Sequence, residues 1–141
     1  MSGYSIVSAL ALMCYVLLFS VIFASKKDKC LSAFLHILAV LILWTGGSLL
    51  MRVQAFPGIA FWYNVSLTGI WLSCFTLIRF MRVLAGKRFS LLDTILLGLT
   101  VALLAVNAFT GWFLAPPDPV TENGRLIFVY ETTVGTVIMY L

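Results

Sequence analysis

Charge is the scarcest commodity in this chain. Of its 141 residues, 10% are charged and 62% hydrophobic, and the mean hydropathy is +1.10. Soluble domains carry roughly 25% charged and about 45–50% apolar residues. Too little polarity remains to cover a wetted surface, so an ordinary soluble fold is excluded. Histidine is nearly absent as well. His36 stands alone, with no Asp, Glu or Cys three or four residues on. It therefore builds no metal site and activates no nucleophile. Proton sensing remains open to it through its near-neutral pKa, but packing or an interfacial position is the expected role. The cysteines are Cys14, Cys30 and Cys74, with no CxxC pair among them. Their odd number excludes a fully paired disulfide framework. Cys14 and Cys74 fall inside apolar runs, where a free thiol behaves as a small hydrophobe. Gly-rich phosphate loops, GxSxG, HExxH and paired catalytic carboxylates are all missing. No catalysis and no cofactor are expected of these residues.

What the chain does have is long apolar runs. They read as spans of about residues 4–24, 31–51, 61–84 and 91–113, each close to the roughly 20 residues that cross a bilayer core. No Lys or Arg precedes the first, and it exceeds a signal-peptide core of roughly 7–15 residues. The expected fold class is an all-α membrane protein, a polytopic helical bundle of one domain. Small residues at helix-contact spacing argue for compact packing: Gly46-Gly47-Ser48, Ser66 with Gly69 and Ser73, and Gly98 with Ala102. They do not identify a channel, since rings of pore-lining charge are missing. No internal repeat supports an inverted-repeat transporter.

The cations sort by loop. Lys26, Lys27 and Lys29 follow the first run, and Lys87 and Arg88 follow the third, with Arg82 just before its end. The second loop has Arg52 alone, and the fourth carries Asp118 and Glu122 before Arg125. The net charge of +4 thus flanks membrane runs and forms no stripe for nucleic acid. The positive-inside rule predicts loops one and three in the cytoplasm and the N-terminus outside. Tyr4, Trp62, Tyr63, Trp112 and Phe113 then fall at the outer interface, where amphipathic rings prefer to sit.

Local signals add detail. Ser90-Leu91-Leu92-Asp93 fits a capping box that opens helix four. An acid in a first helical turn also suits the macrodipole. After Pro116, Pro117 and Pro119, the Asn123-Gly124 pair is a hairpin signal, followed by β-branched and aromatic residues. The expectation is a small external β-hairpin over 119–131 within an outer loop of 114–131. A competing helix from Arg125 would bury Glu131 in lipid. A fifth run, 132–141, reads as about half a span, which suggests an N-terminal fragment of a longer protein. The polar residues Arg52, Gln54, Asn64 and Asn107 lie near one membrane face, and they are the candidate ligand site for a small-molecule or lipid signal. The other reading of Asn107 is an interhelical hydrogen bond. Arg79 and Arg82, near the end of helix three, can snorkel to headgroups. The sequon at Asn64-Val65-Ser66 opens a membrane helix and is discounted.

The stretch Trp44-Thr45-Gly46-Gly47-Ser48-Leu49-Leu50-Met51-Arg52, followed by Phe56-Pro57-Gly58-Ile59-Ala60-Phe61-Trp62, resembles a known input region. It is similar to the N-terminal multi-helix sensor region of bacterial membrane histidine kinases of the seven-helix type and related diguanylate cyclases. The shared elements are a Trp within helix two, a short outer turn and a Trp opening helix three. Asn107 before aromatics and an outer loop also fits, and the resemblance covers residues 31–141. Many members carry a Pro in the second half of helix three, where this chain has Leu72-Ser73-Cys74-Phe75. Several place a His after the helix-four Asn, where it has Thr110 and Gly111. No role tied to that His carries over. The resemblance implies an outside N-terminus, seven helices and a cytoplasmic output domain in the same polypeptide. The expected function is a sensory input module in a bacterial inner membrane, with the lipid bilayer and a second copy of the chain as further partners. A small transporter or permease subunit is the alternative, marked by further spans in place of an output domain.

Overall fold

The computed structural model describes residues 3–26, 28–87, 90–111, 114–122, 125–130 and 133. Four helices follow in chain order: α1 (Gly3–Ala24), α2 (Lys29–Arg52), α3 (Ile59–Leu84) and α4 (Leu91–Thr110). A two-stranded sheet, β1 (Asp118–Glu122) and β2 (Arg125–Val129), comes after them. All four helices are long and apolar enough to cross a membrane. Even the shortest, with 20 residues, reaches about 30 Å at 1.5 Å per residue.

The helix bounds follow from their caps. Asp28 opens α2 two residues before the expected start, its Oδ1 accepting the Leu31 N–H at 2.6 Å. That bond satisfies one of the orphan donors of a first turn. The turn after α2 is stapled by Trp62, whose Nε1 donates to the carbonyls of Ala55 at 3.1 Å and Phe56 at 3.3 Å. Helix α4 ends at Thr110, short of the expected 113. Gly111 adopts a left-handed conformation with φ 60° and donates to the Asn107 carbonyl at 2.8 Å. A glycine cap thus closes the helix before the prolines are reached.

Within the described residues, each helix packs only on its neighbours in sequence. The four form a row in place of the compact bundle the small-residue stripes suggested. The buried apolar side chains are Ala33, Leu35, Leu38, Val40 and Met51 on α2, with Tyr63 and Phe75 on α3, and α2 packs on both α1 and α3. The α2 and α3 backbones approach closely. A Cβ on Gly69 would lie 2.4 Å from the Trp44 backbone nitrogen, and one on Gly47 would lie 2.7 Å from that of Ser66. The Gly98 and Ala102 stripe makes no such contact: a Cβ on Gly98 would meet nothing within 4 Å. The reason is divergence, since α4 buries only Asp93 and Asn107.

The hairpin forms as the turn signal suggests, with β1 antiparallel to β2 and Val120 opposite Ile127. This excludes a helix beginning at Arg125. The turn residues Asn123 and Gly124 and the fifth run, 132–141, lie outside the described residues, save Thr133. Tyr130 sits against Tyr63 at 6.3 Å between ring centroids, which places the hairpin beside the start of α3. The molecule thus has a hairpin end and, opposite, a basic end where the α1–α2 and α3–α4 loops meet.

Candidate functional site

The polar residues of the hairpin end have different duties. Asn107, 4% exposed, clasps the chain beyond its own helix. Its Oδ1 accepts the Leu114 N–H at 2.8 Å, and its Nδ2 donates to the Leu114 carbonyl at 3.2 Å. A buried amide in an apolar setting needs such partners. Here they tie the α4 terminus to the segment leading into β1. Gln54 is exposed in the α2–α3 turn, in the left-handed region at φ 51°. Asn64 is half-buried in the first turns of α3, and its carbonyl accepts from Thr68 Oγ1 at 2.8 Å. Arg52, also half-buried, has its Nε out of solvent contact with no hydrogen-bond partner. Among the described residues, no hydrogen bond joins Arg52, Gln54 and Asn64. The orphaned Nε is the sharpest polar feature of this end, because buried polar groups are ordinarily paired.

The basic end holds the contact that sequence reading missed. Asp93, 2% exposed, receives Arg82 Nη1 at 2.7 Å and the Ser90 N–H at 2.8 Å, both on Oδ2. Arg82 Nη1 also donates to Ser90 Oγ at 2.9 Å. Ser90 and Asp93 form the capping box of α4, and Arg82 converts that cap into a lock on the end of α3. A signal for it exists. Antiparallel helices joined by a short loop bring their adjoining ends together, so a cation closing one and an acid opening the next are natural partners. The snorkelling role considered for Arg82 is thus replaced in part by pairing.

His36 is exposed on α2, and its Nδ1–H donates to the Ser32 carbonyl at 2.6 Å. All three cysteines are free. Among the described residues, no group of three His, Cys, Asp or Glu side chains could hold a metal ion. Chemically, then, the arrangement offers charge and hydrogen bonds. Comparison with protein-family models, curated proteins and solved structures finds no match to this chain.

Proposed function

We propose that the chain is the membrane-embedded input module of a bacterial signal-transduction protein, oriented with its N-terminus outside and its basic end in the cytoplasm. The observation that carries this reading is the way α4 is attached. It is tied to α3 at its start by Arg82–Asp93, its far end is clasped by Asn107 to Leu114 of the segment that follows, and Gly98 between them faces open space. A helix tied to its neighbour at one end and loosely packed beyond it can take more than one position. A ligand at the hairpin end that favours one position biases the other end too. The signal would pass to a cytoplasmic output domain in the same polypeptide, as the resemblance of residues 31–141 implies.

Spin labels at Ile70 and Val106, exposed on α3 and α4, test this in lipid nanodiscs with the native cysteines replaced by serine. Two α3–α4 distances are expected, and Asn107→Ala should shift their ratio. One narrow distance, unmoved by that substitution, would sink the input-module reading. Cysteine labelling at positions 26 and 118 tests the orientation. The first should react only from the cytoplasmic side and the second only from outside, and the reverse pattern overturns the assignment.

A further inference from the structure

A cleft of about 1100 Å³ opens at the basic end between the start of α2, the end of α3 and the start of α4. Four cations line it, namely Lys29, Arg79, Arg82 and Lys87, against two carboxylates, Asp28 and Asp93. Both carboxylates are already engaged. Asp28 caps α2 through the Leu31 N–H, and Asp93 takes Arg82 and the Ser90 N–H. Positive charge therefore gathers in excess from two helices and a loop. Ala33 and Val83 also line it, so apolar side chains stand beside the cations. A second hollow, of about 510 Å³, shares Arg82 and Lys87 with the first and runs along the exposed apolar residues Leu77, Ile78 and Met81 of α3. A cationic cup adjoining an apolar groove matches an amphiphile whose anionic head and hydrocarbon tail lie side by side. Basic pockets between membrane helices are suited to phosphate-bearing headgroups, and bound anions suit clustered ammonium and guanidinium donors.

We propose that this cleft binds a phosphate group, and that the adjoining groove makes the phosphate of an anionic phospholipid its occupant. The site lies at the opposite end from the hairpin and does not depend on the input-module reading. Arg82 is left out of the test because it holds α4. Lys29→Gln combined with Lys87→Gln removes two rim charges at exposed positions, and Lys26→Gln, at an exposed position outside the cleft lining, serves as control. Native mass spectrometry of the purified chain in detergent reads the retention of dioleoylphosphatidylglycerol against dioleoylphosphatidylcholine. The wild type should retain the anionic lipid preferentially. The double variant should lose on the order of tenfold in that affinity, while the control keeps it and all three proteins keep the same helical circular dichroism. Equal retention of both lipids, or an unchanged preference in the double variant, overturns the proposal. Excess inorganic phosphate separates the sources. Failure to displace the lipid supports a lipid headgroup, whereas displacement at equal affinity overturns the lipid assignment.

Discussion

The α2–α3 and α3–α4 pairs share a helix, yet they are held by opposite means. Between α2 and α3 the backbones nearly touch at Gly47 and Gly69. Ser66 adds a hydrogen bond from its Oγ to the Trp44 carbonyl at 3.1 Å. Between α3 and α4 stands the Arg82–Asp93 lock with Ser90, set at the loop. The glycine in mid-α4, Gly98, has open space before it. Hydropathy does not explain the contrast, because α2 and α4 are equally apolar. In lipid there is no hydrophobic drive to bring apolar helices together, so close packing and hydrogen bonds must do it. A small residue therefore matters only where a partner's backbone stands opposite it. The tight pair is built as a frame, and the loose pair as a joint.

The strongest way to break this comparison is one added methyl group at each glycine. Gly69→Ala places a Cβ 2.4 Å from the Trp44 nitrogen and 2.7 Å from its Cα, and backbone cannot swing aside as a flexible side-chain end could. Overpacking of this kind costs about 1–3 kcal/mol, more than the roughly 1 kcal/mol of helix propensity that Ala gains over Gly. Gly98→Ala meets nothing, so the propensity gain should leave stability unchanged or raised. Unfolding titrations in mixed micelles should thus give the two substitutions opposite signs. A disulfide between cysteines at 48 and 66, whose serine Oγ atoms lie 3.3 Å apart, should close readily in the parent and poorly with Gly69→Ala. Equal effects at both glycines would show that the two pairs do not differ as described.

A smaller effect on stability, but a larger one on motion, is expected from Arg82→Gln. Asp93 keeps the Ser90 N–H and so still caps α4, but its link to α3 weakens. A spin label at Ile95, exposed on α4, should become more mobile while the 48–66 disulfide closes as before. Loss of that disulfide would mean that the lock braces the whole row and is not confined to the joint.

The membrane spans were legible because uncharged runs of bilayer length carry their own signal, and the hairpin because Asn-Gly flanked by β-formers is a local one. The α4 capping box was equally readable, since its partners lie three residues apart. What escaped sequence reading was long in range. Gly47, Gly69 and Gly98 look alike in the chain, and only the path of the neighbouring helix separates contact from open space. Asp93 reads as a cap, but its ion pair requires the α3–α4 turn to close. Asn107 shows as a polar residue in an apolar run, while its partner, Leu114, lies beyond a glycine cap that the following prolines obscured. The ligand quartet of Arg52, Gln54, Asn64 and Asn107 was proposed from depth alone. Depth says nothing of which groups face one another.

The finest test concerns hydroxyls. Ser66→Ala removes the donor to the Trp44 carbonyl but adds no atom to the tight interface. Polar contacts between membrane helices are worth around 0.6 kcal/mol, so the substitution should weaken the α2–α3 pair by about that much and leave its geometry intact. Thr100→Ala is the matched change on α4. Its Oγ1 donates to the Leu96 carbonyl of its own helix at 2.8 Å, and removing it should leave helix association unaltered. The difference is small, so both should be compared in one unfolding series with Gly69→Ala as the upper reference. If Thr100→Ala weakens association as much as Ser66→Ala, then α4 uses that face against a neighbour, and the joint is tighter than the row of helices implies.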